Sequence, residues 1–142
     1  MKVRVVFVAV SIILLAAASI APGQQRTGSD QPDDVSRLVG DWSGTSRCTA
    51  KNTACHDESV VYHIKEIQGK PGAVSVDADK IVDGKPINMG ALDFRYEQAE
   101  HTLVCRYSQG VWRFKIAGEM MDGTLTRDDG TEVRRVNLRR QK

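Results

Sequence analysis

The sequence predicts an all-β fold: an eight-stranded antiparallel up-and-down barrel, preceded by a signal peptide. Three observations lead there. From Gly40 onward, turn signals recur about every 10 to 14 residues. Between them apolar and polar residues alternate with period two, as in a strand with one buried face. No segment sustains the helical spacing of apolar residues. Helix is therefore confined to one turn at Asp33 to Val39, which the Asp33-Asp34 pair is placed to cap.

The strand-like runs follow in order. The first is Asp41 to Ala50 and the second Glu58 to Gln68, where Val60, Tyr62 and Ile64 share a face. Gly69-Lys70-Pro71-Gly72 turns into the third, Ala73 to Val82, with Val74, Val76 and Ala78 together. Asp83-Gly84 ends it. The fourth run, Pro86 to Glu97, aligns Leu92, Phe94 and Tyr96; the fifth, His101 to Tyr107, aligns Leu103, Cys105 and Tyr107. Ser108-Gln109-Gly110 leads to the sixth, Val111 to Ala117. There Trp112, Phe114 and Ile116 oppose Arg113 and Lys115, which sets its orientation. The seventh, Met120 to Arg127, turns at Asp129-Gly130, a strong hairpin signal. The eighth, Thr131 to Arg139, breaks phase between Val133 and Val136, so a bulge is expected near Arg134-Arg135. Short strands and tight turns favour a closed barrel, because closure removes open edges; a two-sheet sandwich is the alternative. A barrel of this size is filled by its side chains or holds one small ligand.

The N-terminus reads as an address. Lys2 and Arg4 precede an uncharged run, Val5 to Ala21, and small residues surround two cleavage points, after Ala18 and after Gly23. Residues 1–23 are read as a signal peptide, 24–34 as a polar leader and 35–142 as the barrel domain. The expected location is periplasmic or secreted, with no transmembrane segment after cleavage. A retained anchor is the alternative, since the run is at the lower edge of bilayer length. The 142 residues carry 20 Lys plus Arg against 18 Asp plus Glu. Without Lys2 and Arg4 the chain is neutral, which argues against nucleic acid as a partner.

Leu38-Val39-Gly40-Asp41-Trp42 places Gly-x-Trp on the first strand, and the stretch from Gly110 reads GVWRFKIAGEMMDGTLTRDDGTEVRRVNLRR. With these residues the chain resembles the lipocalin superfamily, the calycin-type barrels, and within it the small exported bacterial members. The resemblance spans about Val35 to Arg140. The shorter domain and the lack of a helix after the last strand depart from long lipocalins and weigh against a large pocket. The resemblance implies that Trp42 closes one end of the barrel beneath a basic residue of the last strand. Strand parity selects Arg140, and a cation over an indole is worth ~0.5–2 kcal/mol.

The interior aromatic residues Tyr62, Phe94, Tyr96, Tyr107, Trp112 and Phe114 are the candidate ligand-binding set, with Gly44, Ser46 and Ala78 leaving space. Of the three cysteines, Cys48 and Cys55 flank a polar loop whose closure by a disulfide is easy; Cys105 pairing with either is the rival. His56 and Asp57 follow Cys55, but no second ligand pair completes a zinc template, so no metal is expected. His63 alternates outward and His101 sits at a turn. No nucleophile, metalloprotease or phosphate-loop motif is present, so neither enzyme activity nor a cofactor is expected. The basic end, Arg134, Arg135, Arg139, Arg140 and Lys142, reads as a solvated strand and tail; contact with anionic lipid or polymer is the alternative. The functional expectation is an exported binding module for a small apolar or amphipathic molecule. The alternative is a protein-interaction or inhibitor module that uses the mouth loops around a filled interior.

Overall fold

The computed structural model describes residues 35–50 and 54–142. The signal peptide and leader read from the sequence, with the Asp33-Asp34 cap, lie outside the described residues. Eight strands follow in chain order: β1 Gly40–Cys48, β2 Glu58–Glu66, β3 Ala73–Val82, β4 Lys85–Glu97, β5 Thr102–Tyr107, β6 Gly110–Ala117, β7 Met120–Thr126 and β8 Glu132–Arg140. Each pairs antiparallel with the next and β8 pairs with β1, so the sheet closes as a barrel. A 3₁₀ turn at Ser36–Leu38 precedes β1, capped at Val35 without a side-chain hydrogen bond. β1 stops at Cys48, two residues short of the expected end, where the Asp57 carboxylate takes the Cys48 N–H at 2.8 Å.

Alternation puts the apolar set inside. Val60, Tyr62, Ile64, Val74, Val76, Phe94, Tyr96, Leu103, Cys105, Trp112, Phe114, Met121, Leu125, Val136 and Leu138 are buried. Arg113 and Lys115 are exposed. Phe114 is the hub. Its ring lies 5.9 Å from Tyr62, 5.7 Å from Phe94 and 5.3 Å from Trp112, centroid to centroid. Gly123 lies opposite it on β7, and a Cβ there would sit 2.1 Å from the ring. Gly44 plays the matching part at the closing seam. A Cβ on Gly44 would sit 1.9 Å from the Asn137 carbonyl oxygen, so only glycine admits β8 this closely. The room expected at Gly44 for a ligand is thus taken by the β8 backbone.

Two bulges bend the wall. In β8 the pairing runs from Leu125 with Arg134 to Thr126 with Glu132, which leaves Val133 as the extra residue. The phase break read near Arg134-Arg135 therefore falls one residue earlier. A second bulge leaves Met89 unpaired between Asn88 and Gly90. It left no trace in the alternation because residues 85–91 of β4 are exposed on both faces.

On the outside, His63 of β2 joins three strands. Its Nδ1 lies 2.7 Å from Asp41 Oδ1 on β1, and its Nε2 lies 3.3 Å from Asp79 Oδ2 on β3. The hydrogen bond to Asp41, helped by Asp79, raises the imidazole pKa above its ordinary 6.5, against a smaller opposing effect of burial. A raised folded-state value stabilises the charged form. The contribution is complete below the ordinary value and is lost as pH rises through the folded one. His63→Gln is expected to lower stability on the acid side and to leave alkaline stability nearly unchanged, as urea melts over a pH series will report. Phe114→Ala should destabilise by ~3–5 kcal/mol through lost burial and a residual cavity. Lys115→Ala should change stability by less than about 0.5 kcal/mol. Equal losses in denaturant melts of these two variants would mean that β6 is in the opposite register.

Candidate ligand cavity

The two ends of the barrel differ. At one end Trp42 is fully buried, its indole N–H donating to the Leu38 carbonyl at 2.9 Å. Arg140 lies over the ring, 5.6 Å from guanidinium carbon to centroid, and donates to the Arg37 and Val39 carbonyls. Val35 and Leu38 complete this plug. The other end is the mouth, where β1 ends and β2 begins, and behind it lies a cavity of about 350 Å³.

The cavity is built strand by strand. Tyr62 comes from β2, Val76 and Ala78 from β3, Leu92 and Phe94 from β4, Tyr107 from β5, and Trp112 and Phe114 from β6. Five of the six aromatic residues named from the sequence thus meet around one volume. Tyr96 does not. It sits at the closed end, where Arg37 lies 5.6 Å from its ring and donates to its hydroxyl, and His101 Nδ1 is 3.1 Å from that oxygen. Alternation assigns Tyr96 to the inner face but not to a height along the barrel, and it stands one inward step below Phe94.

β4 and β5 pair only through Arg95–Val104, Tyr96–Leu103 and Glu97–Thr102. Nearer the mouth the two strands diverge. Met89, Gly90 and Ala91 border the cavity on one side of this gap, and Tyr107 and Gln109 on the other. The cavity thus reaches into the part of the wall where β4 and β5 are not paired.

Its lip is polar. Arg134 Nη1 donates to Ser46 Oγ at 2.9 Å and to the His56 carbonyl at 3.4 Å, and lies 3.3 Å from Glu58 Oε2. Lys80 Nζ is 4.0 Å from Glu58 Oε1. Strand parity carried the signal for these residues. Glu58 shares the phase of Val60 and Tyr62, Ser46 that of Trp42, and Arg134 that of Val136 and Leu138. Read as part of a solvated basic end, Arg134 is instead half-buried at the lip; of that cluster Arg135, Arg139 and Lys142 are exposed and Arg140 is half-buried over Trp42. Burial pushes the Tyr62 hydroxyl up to about 12, although Arg134 pulls against it. Burial also raises Tyr107, partly offset by a hydrogen bond with Trp112. Both hydroxyls are therefore neutral donors at physiological pH.

The topology is closed, antiparallel and up-and-down throughout, with a tryptophan plug under an arginine and a cavity at the open end. The fold is lipocalin-like. No family model matches the sequence, and no curated protein matches it. Among solved structures the lipocalin-like barrel is similar to one described as "The Siderocalin Ex-FABP functions through dual ligand specificities". Identity is 11%, the match covers 75% of this chain and 71% of that one, and the TM-score is 0.39. The lipocalin-like assignment rests on the strand topology rather than on this likeness.

The Cys48–Cys55 disulfide ties the end of β1 to the segment before β2, with Cα atoms 5.8 Å apart. Cys48 stands opposite Arg134 in the register, so the bridge borders the lip. Cys105 is a buried free cysteine facing inward, its thiol pKa raised first by burial and then by Asp93. Among the described residues no group of three His, Cys, Asp or Glu converges to hold a metal ion, and no helix is long and apolar enough to cross a membrane. Native, non-reduced protein should show no thiol reactive to Ellman's reagent, and one after denaturation. A peptide map with Cys105 in a bridge would contradict the pairing.

Proposed function

We propose that this protein is an exported, non-enzymatic binding module that holds a small apolar or amphipathic molecule inside its barrel. The observation that carries the reading is the cavity: about 350 Å³, floored by Phe94, Trp112 and Phe114 and rimmed by a few convergent polar groups. That volume lies within the ~300–1,000 Å³ of small-molecule sites, which share this mix of apolar walls and sparse polar groups. Export follows from the N-terminal sequence and accords with a disulfide, which persists in oxidising compartments. Val82, Ile87 and Met89 are exposed on the β3–β4 hairpin beside the mouth, and they favour the second reading, a protein-contact surface.

Binding of the neutral fluorophore N-phenyl-1-naphthylamine separates the two. Trp112 lines the cavity while Trp42 is sealed at the opposite end. Contact with the probe should shift the emission wavelength of Trp112, and the Trp112→Phe variant should lose most of that shift while Trp42→Phe keeps it. Ala78→Phe places a ring in the cavity and should abolish binding at a stability cost of ~1–3 kcal/mol from overpacking. Unchanged binding in folded Ala78→Phe would sink the ligand reading.

A further inference from the structure

The closed end carries a second concavity, which shares no lining residue with the ligand cavity. It is a depression of about 460 Å³ outside the tryptophan plug, with Leu38 and Ile116 as its apolar floor. Its charged and polar lining comes from four separate places. Arg37 belongs to the 3₁₀ turn, His101 to the turn between β4 and β5, Glu119 to the turn between β6 and β7, and Arg140 to the end of β8. Two guanidinium groups stand against one carboxylate, which leaves the lining with one positive charge in excess. Among the described residues Arg37, Glu119 and Arg140 form no ion pair. The neighbouring carboxylates are turned elsewhere: Glu100 lines a different groove with Arg113 and Lys115, and Asp41 holds His63.

One buried oxygen positions the donors. The hydroxyl of Tyr96, a residue 2% exposed, accepts from Arg37 Nη2 and lies 3.1 Å from His101 Nδ1. A guanidinium only donates, so the single phenol proton goes to Nδ1 of the neutral imidazole. The other ring nitrogen, Nε2, then carries a hydrogen whether the ring is neutral or charged. The backbone fixes the base of that ring. His101 has φ +51°, a left-handed conformation uncommon outside glycine. Its N–H is given to the Gln98 carbonyl, and its carbonyl takes the Ile116 N–H at 2.9 Å. Arg140 spends Nη1 and Nη2 on the Arg37 and Val39 carbonyls, which ties the two arginine residues together. Arg37 Nε and Nη1 and His101 Nε2 have no hydrogen-bond partner among the described residues.

We propose that this depression binds a small oxyanion of the phosphate class, free or as a monoester. Its oxygens accept from the open edge of Arg37 and from His101 Nε2, and Arg140, committed to the plug, adds charge. A planar guanidinium edge suits two oxygens of such an anion at once. Glu119 opposes the anion and so weakens its binding.

The test follows the amide NMR signals around Arg37, His101 and Glu119 during titration with inorganic phosphate and with methyl phosphate. Sodium chloride at equal ionic strength is the control, because salt alone screens exposed charges. Both phosphates should shift these signals saturably while chloride leaves them still. A tighter inorganic ion assigns the site to free phosphate and a tighter methyl phosphate to a monoester; either supports the proposal. Arg37→Gln and His101→Asn should each weaken binding ~10-fold, the scale of a hydrogen bond to a charged group. Asparagine tolerates the left-handed backbone, so the loss at 101 belongs to the imidazole. Glu119→Gln should tighten binding. If a thermal melt shows Arg37→Gln to be unfolded, Glu119→Gln decides, and unchanged or weaker phosphate binding there overturns the proposal. Shifts that chloride reproduces overturn it, as does unchanged affinity in folded His101→Asn. Displacement of bound N-phenyl-1-naphthylamine by phosphate would put the anion in the ligand cavity and overturn it too. The cavity reading stands or falls separately, on the fluorophore.

Discussion

Closure of the sheet between β1 and β8 is the constraint from which the rest of the molecule follows. An open sheet of these strands would present two unpaired edges and one apolar face to water. Pairing Trp42 through Cys48 with Arg140 through Arg134 removes both edges and turns the apolar face into an interior. The seam needs Gly44, because the Asn137 carbonyl occupies the place of a side chain. At its closed end the same register sets Arg140 opposite Trp42, and the cation lies over the ring. Seam and plug are thus one construction: the residue pair that ends the ladder also seals the barrel.

Closure alone does not decide whether the interior is full. Below Phe114 the barrel is packed by Leu38, Trp42, Leu103, Met121 and Leu138, all fully buried. Above it the strands bring Ala78, Gly90 and Ala91, which are too small to reach across. The divergence of β4 from β5 widens that half further. Packing at one end and small residues at the other give an interior with a floor and an entrance. The polar lip stands where the apolar lining meets water, and there Glu58 and Arg134 pair beside the cavity while buried Ser46 accepts from Arg134.

The outer wall has its own ties, each weak by itself. His63 between Asp41 and Asp79 is the most connected, since one imidazole links three neighbouring strands. Arg135 with Glu132 and Lys70 with Asp93 are exposed pairs of the kind worth ~0–1 kcal/mol. The interior therefore carries the stability, and the exterior charges serve solubility and register.

Much of this was legible in the residues. Alternation depends only on the geometry of an extended chain, where successive side chains point to opposite faces. That is why the strands, the inward faces of Val60 to Ile64 and Trp112 to Ile116, and the pairing of Trp42 with Arg140 could all be read in advance. A disulfide between Cys48 and Cys55 was readable for a similar reason, because the two are near neighbours in the chain. Alternation says nothing about height along the barrel or about what stands across it. Tyr96 and Phe94 share a face, yet one packs at the plug and the other lines the cavity, because only the register with β3 and β5 sets their level. The same holds for Glu58 and Arg134, distant in sequence and both polar, which become a paired lip only when β8 closes on β1 and brings Ser46 between them. Face is a local property of the strand, and the sequence by itself determined it; level, seam and cavity arise from pairings between distant segments, and only the tertiary structure decided them.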